Sequence, residues 1–79
     1  MVKTTRKIEH YEKRFGIIAI ERGFISYKDL IEALKVQVGE EIEIGKHRLL
    51  GEILLYQDKI TARQIDEVVK TLFKQIKGA

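Results

Sequence analysis

The 79-residue sequence contains no cysteine, no proline, only two histidines and few aromatic residues. Without cysteine there is no disulfide framework and no thiolate metal site, so the usual supports of small secreted domains are excluded and a cytoplasmic setting is expected. No apolar stretch approaches the ~18 residues needed to span a membrane. The charged start Met1-Val2-Lys3-Thr4-Thr5-Arg6-Lys7 has no apolar signal core behind it, so neither membrane insertion nor export is expected. The lack of proline, beside abundant Lys, Glu and Ile, is a bias also seen in some heat-adapted proteins.

What is present is 44% apolar and 34% charged residues with a net charge of +3, the make-up of a soluble globular chain. The length suits a single domain over residues 1–79. Such a chain buries only ~60–65% of its unfolded surface, so its core must be compact, built from Leu, Ile and Val, with little room for a large cleft. Residues 1–37 hold eight Lys/Arg against five acids, and residues 38–79 hold seven of each. The surplus therefore lies wholly in the first half, and at this size solubility explains it more simply than an anionic partner.

An internal duplication organises the chain. Phe15-Gly16-Ile17-Ile18-Ala19-Ile20-Glu21-Arg22-Gly23-Phe24-Ile25-Ser26 aligns with Leu50-Gly51-Glu52-Ile53-Leu54-Leu55-Tyr56-Gln57-Asp58-Lys59-Ile60-Thr61, with apolar positions in register. Repeat one covers about 14–37, a spacer 38–48 follows, and repeat two covers about 49–73. Ser26 with Asp29 and Thr61 with Gln64 read as reciprocal caps at the start of the second helix of each repeat. From Tyr27 the apolar positions run 27, 30, 31, 34, 38, and from Ile65 they run 65, 68, 69, 72, 73, 76, the spacing of one helix face. Phe15–Ile20 and Leu49–Tyr56 are apolar nearly all round and read as short buried helices. Ile8, Tyr11 and Phe15 extend the first helix back towards Thr5, with Lys7, Glu9, Lys13 and Arg14 on its outer face.

Gly23 suits a helix end of positive φ; Asp58 in the equivalent place tolerates it less, so a looser corner is expected there. Residues 39–47, where Glu and Ile alternate between glycines, predict an irregular acidic loop with a brief extended stretch. The expected fold is all-α: four main helices in two tandem hairpins.

Material for catalysis is scarce, and the chain is expected not to be an enzyme. His10 reads as a helix-surface residue and His47 as a loop residue. Neither has a second ligand at i and i+4, and the Glu40, Glu41 and Glu43 run lacks the glycine-centred pattern of a calcium loop. The six glycines are isolated from one another, so no phosphate-cradling loop is formed. Each repeat also has the outline of a helix-turn-helix reader of DNA. Its second helices, however, expose Lys28, Asp29, Glu32 and Lys35 in one copy and Arg63, Asp66, Glu67, Lys70 and Lys74 in the other. Carboxylates there oppose phosphate, and base-reading side chains are few, so nucleic acid is not the expected partner.

The stretch from Arg14 to Gln37 resembles the repeat of the amino-terminal domain of type II secretion and type IV pilus assembly ATPases. That repeat opens with Arg-Leu-Gly, carries a glycine before an Ile/Leu-Ile-Thr turn and closes with Ala-Leu-x-x-Gln. Arg14, Gly16, Gly23, Ile25, Leu30, Ala33, Leu34 and Gln37 match it, with Phe15 in the Leu place. In some members two such repeats bind cyclic di-GMP, with the Arg and Gln addressing guanine; the resemblance thus implies Arg14, Phe15, Gly16 and Gln37 as candidate ligand residues. An Arg fork fits the acceptor edge of guanine, and a glycine beside it admits a flat base.

In the second repeat Leu49 replaces the Arg, Asp58 the turn glycine and Leu72 the Gln, while Arg48 lies one residue early, ~100° around a helix. Half of the polar readout is therefore missing. The alternative reading of the same residues makes Arg14 and Gln37 surface or capping groups and Gly16 and Gly51 points where helices cross closely. In the same family the domain also docks partner proteins. The expectation is a small non-enzymatic protein-interaction or regulatory module with an unknown protein partner. A cyclic di-GMP receptor is the second reading and a helix-turn-helix DNA-binding protein the third. No cofactor is expected, and a homodimer is compatible with the sequence.

Overall fold

Four helices follow one another in the computed structural model, which describes the backbone of residues 2–78 and the side chains of residues 10–75. They are α1 (Val2–Glu21), α2 (Tyr27–Ile44), α3 (Leu50–Tyr56) and α4 (Ala62–Gly78). No strand occurs among the described residues, so Ile17–Ile20 and Leu50–Leu55 are helical. The all-α reading stands. α1 starts at Val2 rather than near Thr5.

The duplication is visible in the hydrogen bonds that turn the chain. At the end of α1, Gly23 N–H donates to the Ile20 carbonyl and Phe24 N–H to the Ala19 carbonyl, each at 2.9 Å. At the end of α3, Asp58 N–H donates to Leu55 at 3.0 Å and Lys59 N–H to Leu54 at 2.9 Å. These are the paired bonds that satisfy the last carbonyls of a helix when the next residue turns left-handed. Gly23 has φ 79° and Asp58 has φ 60°, so the second corner closes as tightly as the first despite its side chain. Both caps form as read: Asp29 N–H to Ser26 Oγ and Ser26 N–H to Asp29 Oδ2 at 3.0 Å, and Gln64 N–H to Thr61 Oγ1 at 3.1 Å with Thr61 N–H to Gln64 Oε1 at 3.0 Å.

The acidic segment departs from expectation. Residues 39–44, read as loop, are the last turns of α2, and only Gly45–Leu49 is irregular. The alternation of Glu and Ile suggested a period of two, but no strand among the described residues pairs with it, and an existing helix adds residues at little cost once nucleated. Gly45 stops it, at φ 66° and ψ 21°.

Within each half the helices are joined by tight corners, while the closest backbone approaches run between halves: α1 with α4, α2 with α3, and α1 with α3. Exchanging the halves turns α1 into α3 and α2 into α4, and this set of contacts maps onto itself. The two repeats are therefore related by a pseudo-two-fold axis between α1 and α3. The core follows the same rule. Ile18 and Ile53, Ala19 and Leu54, Ile25 and Ile60, Ala33 and Val68, and Phe15 and Leu50 are buried as equivalent pairs. Where one repeat places alanine the other places a larger residue, which fills a single shared interior without doubling bulk at any level.

Candidate functional site

Gly16 and Gly51 mark close approaches. A Cβ at Gly16 would stand 2.7 Å from a Leu30 methyl, and one at Gly51 would stand 3.2 Å from the edge of the Phe15 ring. Around these contacts open two grooves. One, of about 400 Å³, lies between α1, α3 and α4 and is lined by Tyr11, Glu12, Phe15, Leu49, Gly51, Glu52, Leu55, Ile65, Val69 and Leu72. The other, of about 370 Å³, lies between α1, α2 and the start of α3 and is lined by Glu12, Lys13, Ile17, Leu30, Leu34, Gln37, His47 and Leu50. A chain of this size was expected to have little room for either.

The grooves are equivalents under the duplication. Leu30, Leu34, Gln37 and Leu50 of the second occupy the positions of Ile65, Val69, Leu72 and Phe15 in the first, and Ile17 and His47 those of Glu52 and Glu12. Their chemistry differs at one decisive place. Gln37, 8% exposed, donates to Glu12 Oε2 at 2.6 Å and to the Arg48 carbonyl at 2.8 Å. Glu12 Oε1 in turn accepts from Leu50 N–H at 2.7 Å, which satisfies a free donor at the start of α3. One carboxylate thus ties α1, α2 and α3 together across the second groove. In the first groove Leu72 stands where Gln37 would, and no such tie can form.

The loop beside the tied groove is fixed further. Arg48 donates from Nε and Nη2 to the two oxygens of Glu40 at 2.9 and 2.6 Å, and its guanidinium lies 5.6 Å from the centre of the Tyr56 ring. This fork holds the Glu40 carboxyl below the usual carboxylate range, and Glu40 raises Arg48 in return. His47 stands between Glu41, at 3.2 Å from Nδ1, and Glu12, at 3.7 Å from Nε2. Leu49 N–H donates to Glu52 Oε1 at 2.9 Å.

The four residues implied by the resemblance fall in different places. Phe15 is core and forms a wall of the open groove, and Gly16 is buried under Leu30. Gln37 belongs to the tied groove. Arg14 points the other way and donates to Gln75 Oε1 on α4 at 2.9 Å; Glu12 and Arg14 are two residues apart, ~200° around α1. Arg48, one residue early in the second repeat, is turned onto Glu40. His10 is exposed, its ring edge-on to Tyr11 at 5.7 Å. Among the described residues no group of three or more His, Cys, Asp or Glu is placed to hold a metal ion, and no helix is long and apolar enough to cross a membrane.

Glu12 is the residue that sequence reasoning overlooked. Its signal was available: Ile8, Glu12 and Phe15 are spaced by four and three, which puts a carboxylate on the apolar side of α1. No known protein family matches the chain, and neither a curated protein nor a solved structure does so.

Proposed function

We propose that this chain is a small non-enzymatic protein-interaction module whose docking site is the open groove between α1, α3 and α4. The occupant is the apolar face of an amphipathic helix from a partner protein. The observation that carries this reading is the asymmetry of two equivalent grooves: one is crossed by the polar tie of Gln37 to Glu12, the other keeps an apolar lining of Phe15, Ile65, Val69 and Leu72. Leu55 and Leu49 stand exposed at its rim, positioned to close over an inserted side chain. A groove of this make-up takes leucine-sized anchors spaced by three and four. The resemblance to the secretion and pilus ATPase domain supports it, since that domain docks partner proteins.

Titration of the isotope-labelled protein with a leucine-based amphipathic helical peptide tests the proposal. Saturable amide shifts are expected at Leu55, Val69 and Leu72, and Leu55→Asp should weaken binding at least ~10-fold. Absence of saturable shifts at those positions sinks the reading. Cyclic di-GMP added in parallel discriminates the receptor alternative, which requires saturable shifts at Arg14 and Gln37. Random duplex DNA discriminates the third, which requires binding that falls steeply with salt.

A further inference from the structure

Taken as a docking site, the open groove between α1, α3 and α4 is selective by its charges. Two of its lining residues are charged, and both are carboxylates, Glu12 and Glu52. No Lys or Arg among the described residues lines it, in a chain where Lys and Arg outnumber Asp and Glu by 15 to 12. The equivalent groove differs in this too. There Ile17 stands in the place of Glu52 and His47 in that of Glu12, with Lys13 alongside. Carboxylates unopposed by a lining cation are thus a property of the open groove alone.

The two acids gather at one end of it. Glu12 Oε1 accepts from Leu50 N–H at 2.7 Å and Glu52 Oε1 from Leu49 N–H at 2.9 Å, so both stand at the start of α3. They are not equally free. Glu12 also accepts from Gln37, at 2.6 Å on its other oxygen, and its side chain is only 12% exposed. Glu52 is exposed, and among the described residues its second oxygen accepts no hydrogen bond and its carboxylate forms no ion pair. Arg48, four residues earlier in the chain, keeps its fork on Glu40 at 2.9 and 2.6 Å. Asp66, next to Ile65 on α4, is taken up by Lys70 at 3.2 Å. Glu52 is therefore the acid of this groove with a free oxygen to offer, and Leu55 follows it by about 4.5 Å of helix rise.

We propose, on the docking reading, that the helix seated in this groove carries a Lys or Arg on the flank of its apolar stripe, four residues from the leucine that meets Leu55, and that Glu52 accepts it. A cation at that spacing lies beside the anchors rather than among them, the place from which paired helices exchange ion pairs. Its methylene stem covers apolar wall while the charged head reaches the carboxylate. Glu52 is then a specificity-determining residue. It selects by charge among helices with the same leucine anchors, and a helix with Glu at that place is rejected because it brings a third carboxylate to Glu12 and Glu52.

Three versions of the leucine peptide, alike except for Lys, Gln or Glu at the flanking positions, test this, with binding read at the amides of Leu55, Val69 and Leu72. The Lys peptide is expected to bind ~5-fold more tightly than the Gln peptide, and the Glu peptide at least ~5-fold more weakly than it. Glu52→Gln keeps an acceptor for Leu49 N–H, since glutamine serves this capping role as glutamate does. It should erase the preference for Lys while leaving the affinity of the Gln peptide within ~2-fold. Glu52→Lys should reverse the order of the Lys and Glu peptides. Glu32→Gln, the same change of net charge on an exposed position of α2, should leave the preference intact. Equal binding of the Lys and Gln peptides overturns the proposal while the docking reading stands, as does a preference that survives Glu52→Gln or is lost equally in Glu32→Gln. If none of the three peptides shifts those amides, the docking reading fails and the assignment of Glu52 fails with it.

Discussion

At the scale of single residues, the chemistry concentrates on Glu12 and Gln37. Glu12 is the more exacting of the two, because its removal leaves one N–H of the Gln37 amide, whose other bond goes to the Arg48 carbonyl, and the Leu50 N–H without an acceptor in a largely enclosed place. Glu12→Ala is expected to lower stability by about 2–3 kcal/mol in denaturant unfolding, and Gln37→Leu by about 1–2 kcal/mol. The double variant should cost less than the sum, since both act through one bond. Two carboxylates contribute to the acid limb of stability. The backbone N–H of Ser26 holds Asp29 below its ordinary pKa, helped by the Ser26 hydroxyl and Lys59, and Arg48 does the same for Glu40. A lowered folded pKa contributes stability that is complete above the unfolded value, about 4, and is lost as pH falls through the folded one. Melting temperature should therefore be flat from neutral pH to about 5 and decline below about 4, and Arg48→Met should remove the Glu40 share of that decline. Gln37 was legible in the sequence as a residue of consequence, but its task was not. A glutamine that faces a guanine and one that faces a carboxylate look alike until the neighbouring helix is placed.

At the scale of elements, the two reciprocal caps were written locally and were read correctly. Ser26, Asp29, Thr61 and Gln64 bond within four residues of themselves, so no tertiary information is needed to foresee them. Asp58 shows the limit of that reasoning. Its left-handed backbone is imposed by the same closing bonds as Gly23, and the strain is tolerated rather than relieved by a looser turn. Asp58→Gly is expected to stabilise the protein by about 0.5–1 kcal/mol, and Gly23→Ala to destabilise it by about 1 kcal/mol, both measured as shifts in the denaturant midpoint. Gly39 tests the corrected extent of α2. It sits inside the helix with nothing within 4 Å of where a Cβ would be, so Gly39→Ala should add about 1 kcal/mol, which a loop residue would not. Gly16→Ala should not share that gain, because the new methyl meets the buried Leu30 side chain.

For the whole molecule, the pseudo-two-fold relation has a consequence that neither half shows alone. Because α1 rests on α4 and α2 on α3, each repeat finds its nearest backbone neighbours in the other. Residues 1–45 and 46–79 as separate peptides are expected to show little helix by circular dichroism and to regain it on mixing, since short helices without a packed face are marginal in water. Independent folding of either peptide would refute the shared core. The all-α class, the four helices and the duplicated core were legible from the pattern of apolar side chains, because helix periodicity and capping depend on neighbours a few residues away. The end of α2, the turn of Arg48 onto Glu40, the parting of Arg14 from Gln37 and the contrast between two grooves were settled only when the halves came together. Those features depend on which side chains meet across long separations in the chain, and a linear pattern of hydrophobicity carries no distance between such positions.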